Sequence, residues 1–466
     1  MRTVVATGAG KAVAFLSRRL NLGGGTTFPG DVARRIDPHL LENMASRLSK
    51  GCVVVTGTNG KTTTSRMISN VLHQAGLRPV HNRSGANLIG GVTSALLNSS
   101  NILGFPSGDI GLFEVDEATL PPVAVETHPN VVVITNLFRD QLDRYGEIDY
   151  IANIWRKALA TLPSASAVVL NADDPLVASL SQSTSARVVH FGIEDTRYGA
   201  PGLQHAADSK RCLSCGTPYK YEVAFYGHVG KYSCPNCGAV RPRPSVYAEK
   251  LLLHGTRGSD IDILLPEADA SVPVRLNVSV NLPGLYNVYN TLAALACCST
   301  LGIPTDTLKQ GIETFSAAFG RIERIDIDGK QVFLALVKNP VGFNEVLRTL
   351  LIDDVPKDVV IIINDNIADG TDISWLWDVD FELLGGQVRS VVVSGTRAED
   401  MRLRLKYALV DMARVSLEKD LRSALMRGLS SVETGGTLYV LPTYTAMLEM
   451  RKVIGEMGYV GKFWED

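Results

Sequence analysis

The chain has 466 residues, of which 45% are hydrophobic and 20% are charged, and its formal net charge is −2. At about 150 residues per domain, this length predicts about three folded units with sizeable hydrophobic cores. The near-neutral charge argues against a basic surface that coats nucleic acid, and without about 20 uninterrupted apolar residues anywhere we expect a cytoplasmic protein that does not span a membrane.

The first 320 residues divide into a short lead-in and a larger α/β unit. Residues 1–45 are expected to form the lead-in, interrupted at Gly23–Gly25. After Cys52, short apolar strands alternate with helices, which indicates βαβ units and a parallel sheet. The strands are predicted at Val53–Val55, Ile110–Val115, Val131–Thr135, Val168–Leu170 and Val188–Phe191. Residues 205–245 contain paired cysteines and few aliphatic side chains, which predicts a small inserted module.

Further strands are expected in 246–280, followed by two helices and a boundary near Gly320. The helices are predicted at Tyr286–Leu301 and Thr307–Ala318. A second α/β unit begins at 321, with strands Val359–Ile363, Ser390–Val393 and Leu438–Leu441 and helices Phe343–Ile352, Ala398–Tyr407 and Tyr444–Ile454. We therefore predict a lead-in (1–45), a central domain (46–320, with the insert at 205–245) and a C-terminal domain (321–466).

A glycine-rich turn separates the first predicted strand from a helix. Residues 53–65 read VVVTGTNGKTTTS, so a strand leads into the turn and Lys61 stands where the helix begins. Exposed amides at a helix start bind phosphates, glycine lets the backbone come close to them, and the lysine and threonine that follow suit a nucleotide and its Mg²⁺. The alternative is an ordinary strand-to-helix turn, but the helix dipole disfavours a lysine at that position. The similar Gly8–Lys11 segment has no strand before it.

Four of the seven cysteines form two CxxC pairs. Cys212 and Cys215 are followed, after 18 residues, by Cys234 and Cys237. This spacing is typical of a zinc ribbon, in which four thiolates hold one structural Zn²⁺ and leave no open position for catalysis. The alternatives are two redox disulfides or buried reduced thiols. A nucleic-acid role for the ribbon is disfavoured because no stripe of basic and aromatic residues accompanies it.

Several segments in chain order resemble those of the Mur ligases and the folylpolyglutamate synthetases. They are GTNGKTTT (57–64), FEVDEATL (113–120), TNLFRDQLDRYGEID (135–149), LNADDP (170–175), GLYNVYNTLAA (284–294), FGRIE (319–323) and KNP (338–340). The resemblance implies a Mur-ligase-like α/β fold. Its central P-loop ATPase domain would contain the four-cysteine zinc ribbon, and a Rossmann-like α/β domain would follow it.

The same resemblance implies roles for individual residues. Lys61 and Glu114 would be catalytic, with Thr62 and Glu114 binding Mg²⁺. ATP would contact Gly57, Thr58, Asn59, Gly60, Lys61, Thr62, Thr63, Asn136, Asn171, Asp173, Asp174, Asn287, Asn290 and Arg321. Each polar residue outside the loop could instead be a turn or cap residue, and Glu114 could be a solvated carboxylate.

Two departures from the family pattern affect these expectations. Gln141 replaces the usual histidine of the RDHLD segment, which leaves the number of metal ions open. Only about 45 residues precede the central domain, whereas ligases of UDP-linked substrates have a whole domain there. We therefore expect a substrate that is not held through UDP in the usual way.

The shortened front, the ribbon and the segment NDNIADGTDISWLWDVDF (364–381) together resemble one branch of the family. That branch comprises the synthetase subunits of the glutamine-hydrolysing lipid II isoglutaminyl synthases. The resemblance implies ATP-dependent amidation of a D-Glu α-carboxylate in peptidoglycan synthesis, at the membrane surface. It also implies a partner, a class I glutamine amidotransferase (GatD-like), whose Cys-His pair Asp372 would complete.

The cysteine inventory agrees with a separate glutaminase subunit. A glutaminase needs an activated cysteine, whereas Cys52 opens a buried strand and Cys297 and Cys298 lie in an apolar helix. Alternatively, Asp365, Asp369 and Asp372 only shape a turn at Gly370. Two other functions remain open: a stand-alone ligase of the Mur or folylpolyglutamate type, and a zinc-ribbon nucleic-acid binder with an ATPase motor.

Overall fold

The computed structural model describes residues 2–19, 26–82, 86–139, 147–203, 207–266, 273–316, 322–353 and 355–460. These residues form two β-sheets covered by helices, together with a small hairpin that carries the paired cysteines. None of the helices in these ranges combines the length and the apolar character that crossing a bilayer requires. Gly23–Gly25, Gln141, Gly320 and Arg321 lie outside the described residues.

The residues that precede the first strand fold into three helices. These are α1 (Arg2–Arg19), α2 (Phe28–Ile36) and α3 (Leu40–Ala45). Ala6, Ala33 and Met44 are fully buried and pack in the same core cluster as one face of the first sheet. The segment expected as a lead-in is therefore a packed helical layer. The first of these helices, α1, is rich in alanine and glycine and has no strong apolar pattern in the sequence.

Residues 52–313 form the first sheet, its helices and the separate two-stranded hairpin β7–β8. The strands are β1 (Cys52–Thr56), β2 (Pro79–His81), β3 (Ile110–Glu114), β4 (Val131–Ile134), β5 (Ala167–Asn171), β6 (Arg187–Ile193), β7 (Lys220–Tyr226), β8 (Val229–Ser233), β9 (Val246–Leu253), β10 (Ser259–Leu265) and β11 (Val274–Val280). The helices are α4 (Lys61–Gln74), α5 (Ile89–Ser99), α6 (Leu120–Thr127), α7 (Glu147–Ala160), α8 (Pro175–Ser179), α9 (Leu285–Thr300) and α10 (Thr305–Glu313). All five strands predicted between residues 53 and 191 are confirmed within two residues at each end.

The first sheet has nine strands in the order β11-β10-β9-β6-β5-β4-β1-β3-β2. Strands β1 to β6 and β9 are joined by parallel pairings, whereas β9, β10 and β11 pair antiparallel. Helices cover both faces, so β1 is buried along its whole length. Because parallel strands end at one edge, the residues after β1, β3 and β4 lie together, which is where α/β sheets place ligands.

Residues 322–456 form the second sheet and its helices. The strands are β12 (Ile322–Ile327), β13 (Lys330–Ala335), β14 (Lys357–Ile362), β15 (Val388–Ser394), β16 (Val415–Leu417) and β17 (Thr437–Pro442). The helices are α11 (Pro340–Leu350), α12 (Ala398–Tyr407), α13 (Leu421–Ser431) and α14 (Tyr444–Glu456). The order β12-β13-β17-β14-β15-β16 is parallel except for the β12–β13 hairpin. The sequence pattern had not predicted this hairpin.

Candidate functional site

The turn between β1 and α4, here called the glycine turn (Gly57–Gly60), needs its two glycines. Gly57 and Gly60 have φ angles of 132° and 86°, which side chains rarely tolerate. A Cβ atom on Gly60 would lie 2.1 Å from Oδ1 of Asn290. The turn therefore lies directly against α9, and α4 begins at Lys61 with no side-chain cap on its first amides. Uncapped amides at a helix start attract an anion.

Asn59, in the middle of the glycine turn, is held on two sides. Its N–H donates to Oδ1 of Asn136 (2.9 Å), and its carbonyl accepts from Nδ2 of the same side chain (3.0 Å). Its own Oδ1 accepts a bond of 3.0 Å from Nδ2 of Asn339, which precedes α11 of the second sheet. The turn is thus attached to β4 on one side and to the second sheet on the other.

Lys61 crosses back over the glycine turn. Its Nζ donates to the carbonyl of Gly57 (2.6 Å) and to Oε1 of Glu117 (3.1 Å). Both charged side chains are mostly buried. Burial raises the pKa of Glu117, and the Lys61 ammonium opposes that rise. A phosphate bound in the turn would compete with Glu117 for the same ammonium group.

A hydroxyl and a carboxylate meet beside the turn. Oγ1 of Thr62 donates to Oε1 of Glu114 at 3.0 Å. Glu114 is buried at the end of β3, and its backbone exchanges two hydrogen bonds with the side chain of Asn82. Oxygen atoms of these two kinds are the ligands that Mg²⁺ prefers. Their position next to the first turn of α4 suits an ion that bridges phosphates.

A cavity of about 110 Å³ opens between the two sheets next to the glycine turn. Asn287 and Asn290 line it from α9, and Nδ2 of Asn290 donates to Oδ1 of Asn287 at 2.9 Å. The lining residues are Asn59, Gly60, Thr62, Thr63, Asn136, Tyr226, Leu282, Tyr286, Asn287, Asn290, Ile322, Leu336, Lys338, Asn339, Val341, Gly342, Glu345 and Val346. The lining combines amide and charged groups with apolar side chains, a mixture that suits a small organic ligand such as a nucleoside.

Tyr226 and Glu345 are two polar residues among the lining residues that no sequence motif indicated. Tyr226 ends β7 in the cysteine module, and Glu345 lies on α11. Burial raises the pKa of Glu345 to about 7, although Arg348 lies 3.4 Å away and opposes the rise. Neither residue belongs to a recognisable motif. Only the tertiary fold brings them to the cavity, so no local pattern could have indicated them.

The LNADDP segment is buried and bonded to the protein. Nδ2 of Asn171 donates to the Thr135 carbonyl at 3.0 Å. Asp173 accepts from the guanidinium of Arg241 and from the hydroxyl of Tyr289. Asp174 caps α8 and lies 3.4 Å from Nε2 of His228. These side chains do not line the cavity, and their contact with a nucleoside stays a prediction.

The four paired cysteines come together at one point. Their sulfur atoms all lie within 4.8 Å of one another. Sγ of Cys212 is 3.5 Å from Sγ of Cys237, and Sγ of Cys215 is 3.4 Å from Sγ of Cys234. Tetrahedral zinc with bonds of about 2.3 Å separates its sulfurs by about 3.8 Å, so these two separations lie within a few tenths of an ångström of the value for that ion. No disulfide links these cysteines.

Asp372 lies in the loop that follows β14 of the second sheet. Its Oδ1 accepts the N–H of Ser374 at 2.8 Å, and Ser374 lowers the pKa of the carboxyl group. Asp369 instead accepts two bonds from Thr445, and Asp365 accepts the Thr396 hydroxyl. Of these three aspartates, Asp372 is the one whose side chain accepts its hydrogen bond from within its own loop. Trp375 is buried, whereas Trp377 is half exposed.

Comparisons with known proteins identify the family to which this fold belongs. The family model "Mur ligase middle domain" matches residues 55–240, and "MurT ligase C-terminal" matches residues 336–447. A pseudomurein peptide ligase type C from Methanothermus fervidus has the same fold, with a TM-score of 0.67 at 24% identity over 88% of this chain and 79% of the other. The fold is that of the Mur ligases, which are ATP-dependent ligases.

Two relatives extend along nearly the whole chain. Both are named "Lipid II isoglutaminyl synthase (glutamine-hydrolyzing) subunit MurT". The protein from Staphylococcus aureus (strain COL) is 33% identical over 91% of this chain and 92% of its own. The protein from Streptococcus pneumoniae (strain ATCC BAA-255 / R6) is 32% identical over 99% of each chain. The chain belongs to the MurT family of Mur ligases.

Replacing Glu345 by glutamine is expected to stabilise the unliganded chain at neutral and alkaline pH. Below a pH of about 4.5 the carboxyl group is protonated in both the folded and the unfolded state, so the two proteins should melt alike. Between about 4.5 and 7, the unfolded wild type releases a proton that the folded wild type keeps. The wild type thereby loses up to about 3 kcal/mol of its free energy of unfolding.

Thermal unfolding at several pH values measures this difference. Glu222→Gln, at an exposed position of β7, is the control and should show no such widening. A gap between Glu345→Gln and wild type that stays constant with pH would contradict the assignment.

Proposed function

We propose that this chain is the synthetase subunit of a glutamine-hydrolysing lipid II isoglutaminyl synthase. It would convert the α-carboxylate of D-Glu in the lipid II stem peptide to the amide, giving D-isoglutamine. The observation that carries the proposal is the joint presence of the phosphate-type turn and the Thr62–Glu114 pair in a chain related to MurT subunits over almost its full length. The chain would act in the cytoplasm, at the surface of the membrane.

The first chemical step is transfer of the terminal phosphoryl group of ATP. The substrate carboxylate attacks the γ-phosphorus, the bond to the β-phosphate oxygen breaks, and ADP leaves, giving an acyl phosphate. Gly57–Thr63 would hold the phosphates, with Lys61 exchanging Glu117 for the γ-phosphate. Mg²⁺ would be held by Thr62 and Glu114 and would neutralise charge on the phosphates. Such a step is catalysed mainly by positioning and charge neutralisation.

The second step forms the amide. Ammonia attacks the acyl carbon, inorganic phosphate leaves, and the nitrogen releases one proton. The ammonia must come from outside this chain, because the cysteines apart from the zinc-type cluster, Cys52, Cys297 and Cys298, are all buried. Burial raises the pKa of Cys52 to about 12, so its thiolate is not available as a nucleophile. A partner subunit of the class I glutamine amidotransferase type would supply the ammonia.

The nucleoside of ATP would occupy the cavity between the sheets. Tyr226 offers an aromatic ring, and Asn287 and Asn290 offer amide groups. The carboxyl group of Glu345 can accept a hydrogen bond from an exocyclic amine of a base. Arg321 precedes β12, whose first residue lines the cavity, and its nucleotide contact is part of the same proposal.

The partner would dock on the loop that contains Asp372. Ile367, Trp377 and Tyr407 expose large apolar surfaces there, and the rings of Trp377 and Tyr407 are 5.5 Å apart. Half-exposed tryptophan and tyrosine side chains are frequent anchors in interfaces. Asp372, whose carboxyl group has a lowered pKa, would orient the histidine of the partner's Cys-His pair.

The cysteine cluster would hold structural Zn²⁺ and thereby fix one wall of the nucleotide cavity. Tyr226 and its neighbour Phe225 belong to the core of the first sheet, and the Phe225 carbonyl accepts from Arg348 at 3.3 Å. The hairpin β7–β8 is only two strands wide, too small to be stable without further support. Zinc would supply that support.

Reconstitution tests the proposed reaction. The chain, a class I glutamine amidotransferase partner, ATP, Mg²⁺, glutamine and lipid II should together yield lipid II in which one hydroxyl is replaced by an amino group, as measured by mass spectrometry. Lys61→Ala should lower this rate by at least about 100-fold with an unchanged fold by circular dichroism, because the phosphate charge is no longer neutralised. Lys250→Ala, at an exposed position on β9, is the control.

An unchanged substrate mass under these conditions would refute the proposal. Attachment of a free amino acid without any partner would favour a stand-alone ligase instead. Normal ATP turnover by Lys61→Ala would refute the assignment of the turn.

Changing Asp372 to asparagine is expected to separate the two half-reactions. ATP hydrolysis by the chain should remain, whereas glutamine hydrolysis by the complex should fall by about 100-fold or more, because a neutral amide cannot stabilise the histidine in its catalytic form. The release of glutamate measures this activity. Asp365→Asn lies in the same loop and bonds to Thr396, so it should leave glutamine hydrolysis intact. Equal losses in both variants would show that Asp372 only shapes the loop.

Removing zinc is expected to weaken nucleotide binding. The purified chain should contain one zinc ion per molecule by elemental analysis, and Cys237→Ser should lose it. Without the ion, the β7–β8 hairpin loosens, Tyr226 leaves the cavity wall, and the Kd for an ATP analogue rises several-fold. Leu213→Ser changes an exposed residue of the same module that is not a ligand and should retain both properties. Unchanged affinity in the zinc-free variant would separate the ribbon from the nucleotide site.

A further inference from the structure

Helix α1 turns an apolar face outward. Val5, Phe15 and Leu16 are 57%, 61% and 52% exposed, and Val4 is also exposed. At 3.6 residues per turn, these four side chains lie on the same side of the helix, and the opposite side carries the buried Ala6 and Ala14. A surface helix normally has the reverse arrangement, with its apolar stripe inside and polar residues outside.

A neighbouring loop extends this surface. Ile102, Leu103 and Phe105 are each at least half exposed. The loop is fastened to α1, because Nζ of Lys11 donates to the Ser100 carbonyl at 2.6 Å, and Gly104 lies next to Thr3 and Thr7. We call the surface of Val4, Val5, Phe15, Leu16, Ile102, Leu103 and Phe105 the N-terminal apolar face. Single exposed apolar residues are ordinary, but a cluster of this kind marks an interaction site.

The charged residues of helix α1 all have the same sign. Helix α1 contains Arg2, Lys11, Arg18 and Arg19 and no acidic residue, although the chain as a whole has a net charge of −2. The guanidinium group of Arg47 lies over the ring of Phe105, 4.4 Å from its centre. Apolar side chains flanked by arginine and lysine are the combination that binds anionic lipid surfaces.

We propose that the N-terminal apolar face docks the protein on an anionic lipid bilayer. This inference rests on the proposed function, in which the substrate is attached to a membrane lipid. The apolar side chains would enter the boundary between head groups and acyl chains, while Arg2 and Arg19 would stay with the lipid phosphates. The uniform positive charge favours a lipid surface over a second copy of this chain, whose identical face would repel it.

Vesicle binding tests the proposal independently of catalysis. The full chain is mixed with vesicles of phosphatidylcholine and phosphatidylglycerol, or of phosphatidylcholine alone, and the bound fraction is measured by flotation. We expect binding to the anionic vesicles that falls with added salt. Phe15→Ser with Leu16→Ser should weaken it at least about tenfold, because two large apolar side chains no longer enter the lipid. Leu409→Ser, at an 86% exposed site on the second unit, is the control and should bind as wild type does.

Absence of binding by the wild type, or equal binding by the double variant, would overturn the docking surface while leaving the amidation reaction untouched. Loss of a dimer or of the glutaminase partner in the double variant, with vesicle binding intact, would assign the face to a protein contact and equally overturn it. As a catalytic readout, the double variant should amidate a short-chain, water-soluble lipid II analogue at the wild-type rate but lose activity on lipid II in vesicles. Equal losses on both substrates would contradict a role confined to membrane docking.

Discussion

The candidate site depends on the way neutral amide side chains hold the glycine turn. Asn136 bonds to both backbone groups of Asn59, Asn290 lies against Gly60, and Asn339 bonds to the side chain of Asn59. These amide groups can fix a backbone without adding negative charge near phosphates, and carboxylates in the same places would repel them. The same turn therefore meets β4, α9 and the second sheet. A change in the relative position of the two sheets would move Asn339 relative to Asn59 and alter the hydrogen bond between them.

The cysteine module (205–245) contacts the first sheet at two buried carboxylate side chains. Asp173 and Asp174 are fully buried, and a buried carboxylate is costly unless it is paired. The module supplies the partners, since Arg241 bonds to Asp173 and His228 approaches Asp174. The N–H of Gly230 also donates to the Asp173 carbonyl. The insertion is thus part of the central unit, and its strand β7 ends with Tyr226 in the cavity wall.

The features that could be predicted from the sequence depend on residues that are close together along the chain. Alternating apolar strands and helices, the strand before Gly57, the helix at Lys61 and the convergence of two CxxC pairs all follow from short-range patterns. Tyr226 and Glu345 could not be predicted, because only the packing of two separate sheets brings them to one cavity. The helical packing of residues 2–45 was also missed, since α1 is rich in alanine and glycine and lacks a strong apolar period, and α2 and α3 are short. The nucleotide contacts of Asn171, Asp173 and Asp174 remain predictions, although the structure gives these side chains internal partners.

The sequence does not show which aspartate in the loop after β14 could act on another molecule, whereas the hydrogen bonds of the structure distinguish these aspartates. Three aspartates surround Gly370, and each is an ordinary turn residue by type. Asp365 and Asp369 bond across to Thr396 and Thr445, which attaches the loop to neighbouring segments of the second unit. Asp372 bonds only to Ser374, within its own loop, which keeps its carboxylate ionised and directed by a short turn. Asp365 and Asp369 therefore attach the loop to its neighbours. Asp372 is the aspartate whose charge is left available to another molecule.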